Sequence, residues 1–153
     1  MIPKFRAWDS SKKEMFTDTF AITESGQVVV VEQESVASPP DYVFVEHLVI
    51  MQSTGLRDKN DMEIFEGDIL KFNDEWADYG NEGYVDGFFK GINYVEIYGE
   101  TACFIFGKTK IPESSLFYYV NEEHLMFQEV IADNKFEFEV VGNIYENPEL
   151  LKE

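Results

Sequence analysis

The most informative part of the chain is residues 51–70, with the sequence MQSTGLRDKNDMEIFEGDIL. The polar tetrad 58–61, Asp-Lys-Asn-Asp, predicts a tight turn, because Asn and Asp tolerate the left-handed backbone conformation that hairpins require. Glu66-Gly67-Asp68 then predicts a sharp corner, at which Gly lets the chain enter a strand at Ile69–Phe72. The corner could also supply oxygen ligands to a cation, but the structural interpretation is favoured. The segment therefore describes architecture rather than chemistry.

N-terminal to this segment, strand signals dominate. Phe5–Trp8 and Glu14–Phe16 flank a polar loop and predict a hairpin. The β-branched run Gln27–Glu32 predicts a strand buried on both faces. Two consecutive prolines at 39–40 interrupt the pattern, and a further strand is expected at Tyr42–Val45, with a possible extension to Met51.

C-terminal to it, the same signals continue at shorter spacing. Strands are expected at 69–72, 84–89, 94–98, 102–106 and 135–145, with a loop at 73–83 and a bulge at Gly142. Two places could hold a helix, near 35–42 and at 121–132, and the apolar spacing of the second does not distinguish helix from strand. The fold class is therefore mainly β with little helix.

Composition bounds the fold and the location of the protein. Fourteen Phe and eight Tyr among 153 residues predict an aromatic core. No apolar run approaches the roughly 20 residues of a membrane helix, and the N-terminus lacks the apolar region of a signal peptide. The single Cys103 lies in an apolar run and is expected to be a buried thiol in a reducing cytoplasm.

The net charge of −18 narrows the choice of partners. Acidic residues are spread along the whole chain, and such a surface repels phosphate backbones, which argues against direct nucleic-acid binding. It attracts basic proteins. The alternative is an acidic surface that serves only solubility.

Three segments resemble the YopX family of phage and prophage proteins: KFRAWD at 4–9 with KEM at 13–15, TGLRDKN at 54–60 with IFEGDI at 64–69, and VVGNIYENPEL at 140–150. The chain departs from the family where Asp61 replaces the usual Gly after Asn60, which implies a slightly different turn. The resemblance implies a β-hairpin region at 1–55, an SH3-type barrel at 56–153, and a bacterial cytoplasm as the setting. It assigns no molecular function.

Reactive constellations are missing from the sequence. His47, His124 and Cys103 lack zinc-site spacing, and no nucleophile, nucleotide or dinucleotide motif appears. Asp74, Glu75 and Asp78 lack the alternating ligands and Gly of a calcium loop. We therefore expect no enzyme activity, no cofactor and no metal site.

The best functional candidate is the predicted loop 73–83. Trp76 and Tyr79 offer flat apolar area, while carboxylates beside them attract Arg or Lys; these are Asp74, Glu75 and Asp78. By analogy with the fold that the resemblance implies, SH3 domains carry an acidic, aromatic ligand-binding loop at this place. The alternative is that Trp76 folds back as a lid over the barrel end.

Three hypotheses of function follow. The first is a non-enzymatic phage accessory protein acting through protein–protein contacts, with itself or with a basic host protein. The second is an acidic DNA mimic that blocks a host nucleic-acid-binding protein, which requires the carboxylates to line one elongated face. The third is a small nucleic-acid-binding barrel, which requires a local basic patch among twelve scattered Lys and Arg.

Overall fold

The computed structural model describes residues 2–17 and 20–153 and confirms a mainly β protein, 49% strand and 11% helix. The chain divides into two compact units, Met1–Gln52 and Ser53–Glu153. The strands of the first unit are β1 Phe5–Asp9, β2 Glu14–Phe16, β3 Phe20–Ile22, β4 Val28–Glu32 and β5 Asp41–Val45, and β6 Leu48–Arg57 runs on into the second. There it is followed by β7 Glu63–Phe65, β8 Asp68–Tyr79, β9 Val85–Gly99, β10 Phe104–Thr109, α1 Leu116–Asn121, α2 Phe127–Ala132, β11 Glu139–Asn143 and a 3₁₀ helix, Pro148–Leu151.

The first unit contains the predicted N-terminal hairpin. Strands β1 and β2 pair antiparallel with Trp8 opposite Met15, and β1 also pairs with the first half of β6. Strand β4 lies between β3 and β5, but the expectation that it is buried on both faces is wrong, since Val29 alone of its four valines is buried. An antiparallel sheet can leave one face to solvent, and a run of four valines contains no alternation to show it.

The second unit is built around the antiparallel pair β8 and β9 in the sheet order β10-β9-β8-β11. Strand β10 pairs only with the end of β9, at Val95–Gly99, and β11 only with the start of β8, at 68–71. No pairing joins β10 to β11 within the described ranges, so the sheet is a curled half-barrel and the predicted closed SH3-type barrel is not confirmed.

An aromatic core fills the concave side of this half-barrel. Leu70 and Phe72 of β8 and Val95 and Ile97 of β9 contribute one wall. Opposite them lie buried side chains of β10, the helices and the segment before β11: Phe106, Leu116, Val130, Ile131, Phe136 and Phe138. The rings of Phe72 and Phe138 stack with centroids 5.2 Å apart. The predicted aromatic core is therefore present.

The predicted turn at 58–61 is confirmed. One carboxylate oxygen of Asp58 accepts hydrogen bonds from the backbone N–H groups of Asn60 (2.8 Å) and Met62 (2.9 Å). Its other oxygen accepts one from Val140 N–H (2.8 Å), which fastens the turn to β11. Asp61 adopts a φ of 63°. Asp fills this left-handed position because its short polar side chain tolerates it.

The Glu66-Gly67-Asp68 corner has a structural role. Gly67 has a φ of 83°, its N–H donates to Ile97 C=O (2.7 Å), and its C=O accepts from Ile144 N–H (2.9 Å). The buried carboxylate of Asp68 accepts a hydrogen bond from Phe65 N–H (2.8 Å). The corner thus links β7, β9 and the segment after β11.

The predicted loop 73–83 is correct only for 80–83, and the two short strands predicted after it are wrong. Strand β8 continues to Tyr79, and β9 is one strand from Val85 to Gly99. Glycines inside β9 suggested strand ends, but Gly91 instead lets another side chain approach closely: a Cβ there would lie 2.8 Å from the Trp76 ring.

The helices and the last strand also differ from expectation. Helix α2 starts only at Phe127, α1 was not predicted, and 35–42 contains no helix. The sequence of α1, LFYYVN, is aromatic and β-branched, a composition typical of strands. Strand β11 is shorter than 135–145, since Glu137 takes a φ of 48°. The pairing of β11 with β8 shifts register between Val140 and Gly142, as the predicted bulge requires.

Cys103 is exposed, so the expectation of a buried thiol is also wrong. It ends the tight turn between β9 and β10, where its C=O accepts a hydrogen bond from Glu100 N–H (2.8 Å). The apolar run that suggested burial reaches the core only at Phe106, three residues later.

Candidate functional site: a two-stranded ribbon

The predicted site residues lie on a two-stranded ribbon, residues 73–92, formed by the outer parts of β8 and β9. Neither β10 nor β11 reaches this far along the pair. Paired residues of an antiparallel ribbon share a face. Trp76 and Phe89 therefore lie on one face, and Ala77 and Phe88 lie on the other.

Asp74 is buried, with 4% of its surface exposed, and serves the fold. Its carboxylate accepts hydrogen bonds from Asn93 Nδ2 (2.8 Å), Ser115 Oγ (2.9 Å) and Ser115 N–H (3.2 Å). These bonds fasten the base of the ribbon to the start of α1. The predicted role of Asp74 as a partner-contact residue is therefore corrected: its carboxylate is already occupied.

Glu75 lies on the opposite face, where it forms an ion pair across the ribbon. Its carboxylate is 3.3 Å from Lys90 Nζ, and Lys90 is largely exposed. Such a surface pair contributes little to stability. Both groups are free to exchange this pairing for one with a partner.

Trp76 is half-buried and packs on the ribbon itself. Its ring covers Gly91 and lies 6.3 Å from the ring of Phe89, measured between centroids. Its backbone also forms an isolated bridge with Ser114. Trp76 is not a member of the core cluster, and its ring packs on the neighbouring strand rather than over the core. Its role in contact with a partner stays a prediction.

The end of the ribbon is apolar and exposed. Asp78 is half-buried, whereas Tyr79 is 61% exposed. The turn is held by a hydrogen bond from Gly80 N–H to Tyr84 C=O (3.0 Å). The exposed large apolar side chains of the ribbon are Tyr79, Tyr84, Val85, Phe88, Phe89 and Ile92. Five of these were missed by sequence reasoning, although the consecutive Phe88-Phe89 in a strand places one ring on each face.

A cavity of about 430 Å³ opens at the base of the ribbon. The Glu75–Lys90 pair lies at one side, and the rings of Tyr119 and Phe136 lie at another. Lys135 Nζ stacks 3.7 Å from the Tyr119 ring centroid. The lining of this cavity therefore combines these two rings with the charged side chains of Glu75, Lys90 and Lys135.

Among residues 2–17 and 20–153, no group of three or more His, Cys, Asp or Glu side chains is placed to hold a metal ion. Burial raises the pKa of Glu96, and that residue lies in β9 beyond the ribbon.

Within the described residues 2–17 and 20–153, neither helix has the length and apolar character needed to cross a membrane.

Comparison with known proteins gives matches over nearly the whole chain. The model of a family described as YopX protein matches residues 4–152. The crystal structure of protein EF1440 from Enterococcus faecalis is similar to this chain, with 29% sequence identity, 99% of each chain covered and a TM-score of 0.57. No curated protein matches this chain. Both matches include the ribbon and both units.

Proposed function

The chain belongs to the YopX family, and we propose that it is a non-enzymatic accessory protein of a phage or prophage, acting in the bacterial cytoplasm through protein–protein contact. The ribbon is the contact surface, and a basic protein is the partner. One observation supports this proposal above the others: six large apolar side chains are exposed on a ribbon that no further strand covers within the described residues. Large apolar side chains exposed together on one element are typical of interaction sites, and here they lie on both faces of the ribbon.

Charge supports a basic partner. The ribbon carries five acidic residues and one lysine, a net charge of −4, on a chain whose total is −18. Asp74 is buried, but Glu75 and Asp78 lie beside the exposed rings, and Glu82 and Asp86 lie near the turn. A partner with Lys and Arg around an apolar centre would pair with these carboxylates at the rim of the contact.

Analogy gives weaker support. In an SH3-type barrel, the architecture that we infer for the half-barrel, the corresponding connection carries an acidic and aromatic ligand-binding segment. The DNA-mimic hypothesis receives less support, since the carboxylates of the ribbon are separated by apolar side chains and one of them is buried. A mimic of phosphate backbone needs an uninterrupted charged face.

The test removes the exposed rings without touching the fold. Tyr84→Ser with Phe88→Ser takes two rings from the ribbon, and Tyr42→Ser with Phe44→Ser takes two equally exposed rings from β5 as the matched control. Each protein is immobilised, bacterial lysate is passed over it, and retained proteins are identified by mass spectrometry. A partner found this way is purified and its Kd is measured.

We expect the ribbon variant to bind the purified partner at least about tenfold more weakly, because aromatic anchors dominate interface energies, while the control binds as the unmodified protein does. Affinity should also fall as NaCl rises from about 50 to about 500 mM, because screening weakens charge pairing. Equal binding by both variants would contradict the ribbon as the contact surface. A dimer by light scattering that the ribbon substitutions abolish would show self-association instead.

A further inference from the structure

A second surface lies away from the ribbon, between β10 and the two helices. It is an apolar groove with a cavity volume of about 730 Å³. Phe104 and Phe106 of β10 form one side and Phe117 and Phe127 of the helices form another. Leu56 and the exposed Cys103 complete the lining, and no charged residue contributes to it.

The groove contains the outer edge of the sheet. Strand β10 is the last strand of the order β10-β9-β8-β11. The hydrogen bond from Glu100 N–H to Cys103 C=O marks these two residues as a hydrogen-bonded pair. Since such pairs alternate along antiparallel strands, Phe104 and Phe106 direct their N–H and C=O groups away from β9. In the described part of the chain, no backbone group pairs with them there.

We propose that this groove binds an extended peptide segment of another protein, which adds as a strand along β10. Main-chain hydrogen bonds to Phe104 and Phe106 would fix the segment, and its alternate side chains would enter the aromatic groove. The added strand would occupy the open edge of the half-barrel. This site is independent of the ribbon and of the function proposed for it.

Acidic residues next to the lining of the groove favour a basic segment. Glu122 and Glu123 follow directly after Asn121, which lines the groove, and Glu129 follows Gln128, which also lines it. All three glutamates are exposed. The nearest lysine in β10, Lys108, acts on Glu96 and holds its pKa down against the larger effect of burial. The segment that fits is therefore apolar at alternate positions and basic between them.

Other occupants fit less well. A second copy of the chain would bring a further charge of −18 to an acidic rim. A small apolar molecule would fill the cavity but leave the backbone groups of Phe104 and Phe106 unused. The two possibilities are separated from strand addition by the outcomes of one experiment.

The probe is a set of three seven-residue peptides in which Lys alternates with Val, Leu or Phe. Each has a control of the same composition in which the lysines stand in one block, so that charge is matched and alternation is lost. The single Cys103 at the groove reports occupancy through its rate of alkylation by iodoacetamide. Amide hydrogen exchange of Phe104 and Phe106 reports the new main-chain hydrogen bonds.

We expect at least one alternating peptide to slow both reactions about fivefold or more, and its block control to slow neither. Phe104→Pro removes the outward N–H and the ring, whereas Phe104→Ala removes only the ring. The Pro variant should therefore bind about tenfold more weakly than the Ala variant, the loss expected for one hydrogen bond. Proline is tolerated on a sheet edge; if this variant does not fold, the exchange of Phe104 and Phe106 in the unmodified protein decides.

Three results would overturn the proposal. The first is binding by no alternating peptide. The second is equal protection by alternating and block peptides, which would show that charge alone accounts for the binding. The third is protection of Cys103 without slower exchange at Phe104 and Phe106, which shows an apolar pocket that takes side chains only.

Discussion

Asp9 organises the loop of the first hairpin through its carboxylate. The same oxygen accepts hydrogen bonds from Ser11 Oγ (2.7 Å), Ser11 N–H (2.9 Å) and Lys12 N–H (3.1 Å), and His47 Nε2 lies 3.1 Å away. The Ser11 hydroxyl contributes most, and together these bonds lower the pKa of Asp9 from 3.8 to about 2. The loop is therefore stabilised by the ionised carboxylate.

A lowered pKa in the folded state gives stability that is complete above the ordinary value and is lost as the pH falls. We expect the contribution of Asp9 to decline between about pH 4 and pH 2. Carboxyl titration by NMR checks this: Ser11→Ala should raise the pKa of Asp9 more than His47→Ala does, since His47 contributes least. An unchanged pKa in Ser11→Ala would contradict the assignment.

Asp74 supports a second prediction at this scale. Asp74→Ala removes one acceptor of the buried Asn93 Nδ2 and the acceptor of the Ser115 hydroxyl, while Asn93 Nδ2 keeps Ile111 C=O (3.0 Å) and Ser115 N–H keeps Glu75 C=O (2.8 Å). We expect the free energy of unfolding to fall by about 1–3 kcal/mol, the range for a buried polar group that loses its partner. Urea denaturation measures it. Asp78→Ala, four residues further on the same strand face, is the control, with an expected change within about 0.5 kcal/mol; equal losses in both variants would refute the role of Asp74.

Residue roles set by local chemistry could be predicted, and those set by distant partners could not. The turn at Asp58 and the positive φ of Gly67 follow from residue types within a few positions, so both could be predicted. Their hydrogen bonds to Val140, Ile97 and Ile144 could not. Asp74 is different, because its acceptor role depends on Ser115, forty-one residues later. The sequence shows that Asp74 is acidic and close to Trp76, but it does not show that Ser115 donates a hydrogen bond to the Asp74 carboxylate.

At the scale of elements, the N-terminal hairpin could be predicted from turn chemistry, whereas the ribbon could not. Glycine marks strand ends in most patterns, yet Gly91 permits the Trp76 ring to lie across β9. The glycine at 91 thus serves a contact between strands and does not end β9. Part of the site could be predicted, because aromatic and acidic residues cluster in the sequence of β8. The strand structure of the site and the exposed rings of β9 were not predicted.

The ribbon provides a test of this contact. Gly91→Ala places a Cβ 2.8 Å from the Trp76 ring, so the ring must move and become more exposed. We expect a red-shifted fluorescence emission and stronger quenching by acrylamide. Gly87→Ala is the control, since a Cβ there meets nothing within 4 Å. Emission from Trp8, in the other unit, is common to both variants. Identical spectra for the two variants would contradict the packing of Trp76 on Gly91.

Strand β11 is attached to its neighbours by side-chain contacts as well as by its short pairing with β8. Its Glu139 carboxylate lies 3.3 Å from Lys71 Nζ and 3.5 Å from Lys59 Nζ. These lysines, Lys71 first, lower the pKa of Glu139. With the Asp58–Val140 hydrogen bond, they join β11 to β8 and to the turn at 58–61. The C-terminal segment that resembles the family, 140–150, is therefore attached to the central segment that resembles it, 54–60.

At the scale of the whole molecule, composition predicted the mainly β class and the aromatic core, because both depend on totals. It could not show whether the second unit closes into a barrel. Closure depends on whether β10 meets another strand, and its outer edge instead lies in the groove beside α1 and α2. Those helices come from segments whose composition did not favour helix, so the open edge was not predictable.

The second unit contains its own core, and this leads to a prediction about the whole chain. Every buried member of the aromatic cluster lies between Ile64 and Phe138, inside Ser53–Glu153. A chain of residues 53–153 should therefore fold alone, with cooperative thermal unfolding and the near-ultraviolet dichroism of packed rings. Phe72→Ala in this shorter chain is the control: it removes a fully buried ring and should lower the free energy of unfolding by about 3–5 kcal/mol. Non-cooperative unfolding of the shorter chain would show that the core depends on residues 1–52, and the two units would then be one folding unit.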